Sequence, residues 1–394
     1  MMRAGWVERI AFAVQRVLLV VSHAVHRTTR RDITWVVGPD ELASMVGNIA
    51  DAVPGSYSVS LSPHRFYPRT YDRLLSSAGG PRIASLRRLI AGPWILGALS
   101  RRAGGVVYVG AVGFLVSSVD DREFEFAFLR RHGVKIACYF TGDDIRAPRL
   151  MHELEQVYGR PNLSTVVGTL DPLFESDEYD ALKRRIGAIA DRFADVIFTA
   201  PVDQRGYLTS DVRAFRYFYP DDRFRLDLEK YVRPERLVLV HAPSAPVLKG
   251  TQFVREAIER LRSEGYDFEY HEFTDVSNDE VRQVLSRAHL VLNQFYAYLP
   301  GVFGIEALAS SCVMLCSADE RIEPLILGPG ANDAWVVTGP DEVYEHTRTL
   351  LEHPESLAEQ ARRGFEWAMR YASASASAEY VVTALDEVLR RPAS

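Results

Sequence analysis

The sequence predicts an α/β protein of two doubly wound, parallel-sheet domains facing across a cleft. Short apolar runs alternate with helical patterns along the chain, as parallel strands joined by helices require. The alternation occurs twice, on either side of a charged stretch at 220–236 that lacks a clear period. A length of 394 residues also exceeds what one ordinary core holds. The domains are expected at 1–228 and 229–376, followed by a last helix over 377–391.

In the first domain, the apolar run 33–37 ends at Gly38-Pro39, and a helical pattern covers 41–53. Residues 57–61 read as the next strand. The basic amphipathic segment 82–102 is expected to break at Gly92-Pro93, where a proline removes a helical hydrogen bond. Strands at 106–109 and 134–140 flank a helix at 122–132. A helix at 177–193 precedes strands at 196–199 and 215–219. The second domain reads as strands at 237–240, 268–272, 290–292 and 313–316, with helices at 251–264, 278–287, 303–310 and 355–371. The small-residue stretch 372–376 separates the last two helices.

Composition narrows the class. With 47% hydrophobic and 25% charged residues the chain is globular rather than disordered. Cys138, Cys312 and Cys316 lie in apolar runs without a Cys/His partner cluster, so they read as buried, reduced thiols of a reducing compartment. The net charge of −6 hides an asymmetry: the first 105 residues carry +8 and the remainder −14. An anionic surface fits the first half. Nucleic acid does not, because the arginines alternate with Leu, Ile and Trp.

Residues 6–25 are strongly apolar, yet Arg9, Arg16, His23 and Arg30 recur every seven residues as a polar stripe. Arg16 interrupts what would be a signal-peptide core, and no small-residue cleavage site follows it. The stripe also breaks the run of about 20 apolar residues that a spanning helix needs. Two readings stay open: an interfacial amphipathic helix and a helix packed on its own domain.

The chemistry gathers in loops expected beyond the carboxyl ends of the strands, where open α/β sheets bind ligands. Gly301-Val302-Phe303-Gly304-Ile305-Glu306 follows an apolar run ending in Asn293-Gln294. A glycine turn opening a helix offers free backbone N–H groups to an anion. Glu306, early in that helix, suits a ribose diol. Lys249 precedes Gly250 and a helix, in a loop that also holds Ser244; it is one of four lysines against 42 arginines. A flexible point charge there can neutralise a diphosphate. His241 at a strand end reads more readily as structural. In the first domain, Gly142-Asp143-Asp144-Ile145-Arg146 ends a buried strand. Asp144 and Arg146 there bind acceptor hydroxyls or phosphate; alternatively Asp143 caps a helix and Arg146 pairs with an aspartate. No metal-ligand motif occurs, and none of the HExxH, Walker A or GxSxG patterns is present.

Over about 237–320 these residues resemble the retaining glycosyltransferases of family four, which have the GT-B fold. The resemblance rests on Lys249-Gly250, Val276-Ser277 and the run from Gly301 through Glu306 to Ala309, with 142–146 as a looser match. It implies a nucleotide-diphosphate-sugar donor on the second domain, a glycan or lipid-linked acceptor on the first, retention of configuration, and neither metal nor cofactor. Lys249 would contact the diphosphate and Glu306 the ribose, with Asp144 as the third reacting-centre residue. Ser244, Gly250, Val276, Gln294, Gly301, Phe303 and Gly304 would surround the donor. Gly38, Asp143 and Arg146 would meet the acceptor. The last helix would pack back on the first domain. The protein is expected in the cytoplasm, and the interfacial reading of residues 6–25 would place it peripherally on the inner membrane face. The chain departs from the family at Tyr298, where its first glutamate stands, at Ser244, where an arginine is usual, and at Pro300-Gly301, in place of Phe-Gly. A catalytically weakened GT-B protein binding a nucleotide or a partner, and a sugar-nucleotide epimerase, are the alternatives.

Overall fold

The computed structural model describes residues 5–27, 31–62, 64, 67, 69–76, 81–116, 118–274 and 276–392, and of 81–88 the backbone alone. Arg30 of the polar stripe and the side chains of Arg82, Arg87 and Arg88 lie outside the described residues. The chain divides into two compact units. Met1–Ala147, Glu175–Phe215 and Ala378–Ser394 form the first; Pro148–Phe174 and Arg216–Ser377 form the second. Residues 148–174 and 216–228, placed by sequence in the first domain, thus count with the second.

The first unit opens with α1 (Trp6–Val25), then β1 (Ile33–Pro39), α2 (Met45–Ala52), β2 (Tyr57–Ser60), β3 (Arg73–Leu74), α3 (Pro81–Leu99), β4 (Ala103–Val109), α4 (Glu123–Arg131) and β5 (Lys135–Tyr139). The chain makes α5 (Pro148–Tyr158) and α6 (Leu163–Leu170) in the second unit before returning with α7 (Asp177–Phe193), β6 (Val196–Thr199) and β7 (Arg213–Ala214). The sheet order is β3-β2-β1-β4-β5-β6-β7, with every pair parallel. The strand expected at 215–219 is the short β7, set two residues earlier.

The expected break at Gly92-Pro93 does not occur: α3 runs through Pro93. Proline cannot donate to the carbonyl four residues back, that of Leu89. The Gln15 side chain of α1 donates to that carbonyl instead, at 3.0 Å, and its own oxygen accepts from Val116 N–H at 2.8 Å. A substitute donor from a neighbouring helix therefore lets α3 continue.

The second unit continues with β8 (Leu237–His241), α8 (Pro246–Lys249), α9 (Thr251–Ser263), β9 (Phe268–Glu272), α10 (Asn278–Leu285), β10 (Leu290–Leu292), α11 (Gly301–Ala309), β11 (Val313–Cys316), α12 (Pro324–Leu327), α13 (Ala331–Ala334), β12 (Val336–Val337), α14 (Val343–Glu352) and α15 (Leu357–Ala372). Its all-parallel sheet has the order β12-β11-β10-β8-β9. Alternate strand residues feed two cores, as a sheet covered on both faces requires. Leu237, Leu239, Leu290 and Leu292 pack with α9, α14 and α15; Val238, Val240 and Val291 pack with α10 and α11. The charged stretch 220–236 is no loose linker. Arg225 N–H donates to the Ala309 carbonyl at 2.8 Å, and Asp227 N–H to Ser311 Oγ at 2.9 Å. The last helix, α16 (Ala374–Arg390), starts one residue after α15, so the break is Ser373 alone. From Ala378 onward it belongs to the first unit, where Tyr380 accepts from Ala214 N–H. Both sheets are parallel α/β layers of the GT-B fold.

Candidate functional site

In the second unit, the loop after β8 is anchored from below by His241. Its ring is fully buried and bonded to the Leu292 carbonyl at 2.6 Å and Thr251 Oγ1 at 2.8 Å. Burial lowers its pKa to about 4, so it is a neutral structural residue. Above it, α8 is a single turn that ends in Lys249. Gly250, at φ 74°, makes the left-handed step into α9 that other residues rarely adopt. Ser244 lies exposed at the outer edge of this loop.

Lys249 donates to Gln294 Oε1, so the lysine reaches the residue just after β10. Gln294 is buried, with its amide nitrogen given to the Leu299 carbonyl. Its neighbour Asn293 donates to the Pro300 carbonyl at 2.7 Å and thereby fixes the residue from which α11 starts. Gly301 begins that helix beside the Gln294 amide and donates to Tyr217 Oη at 3.3 Å. Gly304 packs so closely that a Cβ there would sit 2.6 Å from the Asn293 amide. Lysine, glutamine and the start of α11 thus form one contiguous group.

Glu306 is 1% exposed on the inner side of α11 and accepts from Asn278 Nδ2 at 2.7 Å. Asn278 stands at the start of α10, whose capping box is Ser277 with Glu280. Burial raises the Tyr219 pKa to about 12, and the Glu306 charge adds to the rise. Val276 and Phe303 are half-buried together against the Val238–Val240 core face. Tyr298, where the family has its first glutamate, is a buried ring set edge-on to Tyr158 at 5.9 Å. Sequence reasoning missed Asn278, Tyr217 and Tyr219, none of which carries a motif.

In the first unit, the ends of β1, β4 and β5 bring together two carboxylates. A Cβ on Gly110 would lie 3.2 Å from Asp40 Oδ2 and 3.7 Å from Asp144 Oδ1, so the two aspartates flank this glycine. Asp144 is half-buried and accepts from Thr141 N–H at 2.7 Å and Ala111 N–H at 3.0 Å. Desolvation raises its pKa to about 6; Asp40 adds to the rise, while the Thr141 bond, Arg122 and Lys183 oppose it. Buried Arg122 donates to the Gly110 carbonyl at 3.1 Å and lies 4.9 Å over the Phe126 ring. Gly38 sits against β2, where a side chain would overlap the Val59 carbonyl.

Arg146 is buried and committed: it donates to the Asp203 carboxylate at 2.6 Å and to its carbonyl at 2.7 Å. Pairing with an aspartate, one of the two readings of Arg146, is what the structure shows. Asp143 caps no helix; it is exposed and receives Tyr179 Oη and Lys183 Nζ. Burial lowers the Lys183 pKa, with Asp143 opposing. Asp40, Lys183 and Arg122 were not singled out by sequence.

Cys138, Cys312 and Cys316 are buried free thiols, and burial raises the pKa of each. Elsewhere in the second unit a cavity of about 580 Å³ is lined by residues including Arg160, Phe253, Tyr296, Asp319 and Arg321. None of the expected donor residues lines it, and the chemistry is better read from the Lys249–Gln294–α11 geometry.

No protein-family profile matches this sequence, and no curated protein sequence matches it. Solved structures do match in fold. Sucrose-phosphate synthase from Thermosynechococcus elongatus is 11% identical with a TM-score of 0.60, over 91% of this chain and 99% of that one. HepE of Anabaena, in complex with UDP and glucose, is 10% identical with a TM-score of 0.55, over 91% of this chain and 100% of that one. WaaG, a glycosyltransferase involved in lipopolysaccharide biosynthesis, is 13% identical with a TM-score of 0.53, again over 91% and 100%.

Proposed function

We propose that this chain is a nucleotide-sugar-dependent glycosyltransferase of the family-four type, moving a sugar with retention onto a glycan or lipid-linked acceptor without a metal. The observation that carries the reading is the junction of Lys249, Gln294 and the N-terminal turn of α11 in one unit of a GT-B fold. The N–H groups of a first helical turn and a lysine ammonium together suit a diphosphate leaving group. Buried Glu306 offers a carboxylate to the ribose, positioned by Asn278. In the first unit, Asp144 is the carboxylate proposed to meet the acceptor hydroxyl, with Gly38, Asp143 and Arg146 around it. Arg146 acts there through the Asp203 pair rather than as a free cation. The protein works in the cytoplasm, against an anionic membrane surface.

HepE is solved with UDP and with UDP-glucose, so a UDP-sugar is the first donor to test. Thermal unfolding against a panel of nucleoside-diphosphate sugars is the experiment, because a ligand bound only by the native state raises the melting temperature. A raised midpoint with one donor and release of its nucleotide on adding acceptor supports the transferase. Ser244 is exposed and Tyr298 is buried in aromatic packing, so two positions where the family carries charge are neutral. That observation favours a second reading, a weakened binding protein: donor binding without transfer would establish it, and no response to any donor would remove both.

A further inference from the structure

Helix α1 is built inside out. Its polar residues Gln15, Ser22 and His23 are buried, and each is hydrogen-bonded: Gln15 to Leu89 and Val116, Ser22 to the Trp94 carbonyl, His23 to Ser100 Oγ at 2.7 Å. Burial lowers the His23 pKa to about 4, so a neutral ring occupies the interior. Of the described residues of the expected polar stripe, only His23 points inward; Arg9 and Arg16 are exposed, Arg16 lying 4.3 Å over the Phe124 ring at the helix margin. The outward face is apolar. Trp6, Ile10, Val14, Val17, Val21 and Val25 are all exposed, Trp6 by 76% and Val17 by 62%. At 3.6 residues per turn and 1.5 Å per residue these positions share one ridge, roughly 30 Å long. Trp94 of α3 is exposed as well, its ring 5.7 Å from His26 just past the end of α1.

We infer that α1 is a docking helix that lays this ridge into the surface of an anionic bilayer. A contiguous apolar ridge on a folded surface marks an interaction site, and three observations select lipid as its occupant. The first 105 residues carry +8 against −14 for the remainder, so an anionic sheet attracts this end of the chain. Arg9 and Arg27 are exposed beside the ridge, and Trp6 and Trp94 are the aromatic type enriched at membrane interfaces. Among the described residues no helix is long and apolar enough to cross a membrane, so α1 lies on the surface rather than through it. Docking stands without the transferase reading. Its consequence, that the acceptor is carried on a lipid, rests on that reading.

The test is flotation of the full-length chain with vesicles of phosphatidylcholine alone and of phosphatidylcholine with phosphatidylglycerol, at low and high salt. The wild type floats with the anionic vesicles, and high salt weakens but does not abolish this, because salt screens only the charged part. Val14→Glu combined with Val17→Glu lowers the bound fraction about tenfold or more. The melting midpoint and its shift with UDP-glucose stay unchanged, since both positions are exposed. Quenching of tryptophan emission by bromine-labelled lipid in the wild type gives a readout independent of the variant. Wild type that neither floats nor is quenched overturns the inference, as does a variant that floats as well as the wild type. Dimers in sedimentation that the same substitutions abolish, without flotation, assign the ridge to a second copy and also overturn it. Flotation without any donor-dependent shift keeps the docking helix and removes the transferase.

Discussion

Lys249 is placed by a four-residue turn and a left-handed glycine, and it touches the glutamine beside the start of α11. Its removal should therefore cost chemistry rather than fold. Lys249→Ala is expected to lower kcat/KM about a hundredfold or more, the usual size for one charged contact to a developing anion. The melting midpoint should hold; equal activity in the variant would take Lys249 out of the mechanism. Glu306→Gln retains an oxygen for Asn278, so the fold should persist, while charge-assisted bonds to a ribose diol become neutral ones. The difference of about 1 kcal/mol is roughly fivefold in donor Kd, measurable by calorimetry. Asp144 makes a pH prediction. Its pKa is raised from 3.8 to about 6, chiefly by desolvation, so the folded state binds its proton more tightly than the unfolded chain. Its stabilising contribution is complete below about pH 4 and is lost as pH rises through 6. The stability gap between wild type and Asp144→Asn should change across that window and be flat above it. Transfer should fall as pH drops below about 6 and the carboxylate protonates; a flat profile there would remove Asp144 from the acceptor site.

At the scale of elements, α1 and α3 hold each other's structure. Gln15→Leu should leave the half-buried Leu89 carbonyl and Val116 N–H without their partner, at about 1 kcal/mol each. Pro93→Ala restores the N–H that normally satisfies Leu89, so the double variant should lose less than Gln15→Leu alone. Denaturant unfolding of the four proteins measures the coupling, and strict additivity would mean that Gln15 does not rescue the proline. The same pair shows what the sequence could and could not display. Apolar runs such as Leu237–His241 announce buried parallel strands by themselves, and the glycine turn before Glu306 is local. A break at Pro93 is equally local reasoning, and it fails because the compensating donor lies 74 positions away. Asn278 reaches Glu306 across 28 positions, and Tyr217 reaches Gly301 across 84. Such partners carry no periodicity or motif, so only the folded chain reveals them. The inward polar face of α1 was hidden for the same reason: its composition shows an apolar helix, not which side the neighbouring α3 would take.

For the molecule as a whole, the division into units makes the last prediction. A boundary at 228/229 would cut through packed structure. Phe224 is buried and stands edge-on to Phe365 at 5.7 Å, and Arg225 and Asp227 supply backbone bonds to Ala309 and Ser311. Ser311 Oγ in turn donates to the Arg225 carbonyl at 2.6 Å. Those contacts pin the segment just past the end of α11, the helix that carries Gly301 and Glu306. A fragment of residues 229–376 loses all of them, whereas 216–377 keeps them. Burying one phenylalanine contributes about 1.5–3 kcal/mol, and each lost hydrogen bond about 1. Against a total stability of about 5–15 kcal/mol, the shorter fragment should melt well below the longer one. Because the loss falls beside α11, the shorter fragment should also respond less to UDP-glucose in the same thermal scan. Equal midpoints and equal ligand shifts would show that residues 216–228 contribute nothing to the second unit, and would return the boundary to 228/229.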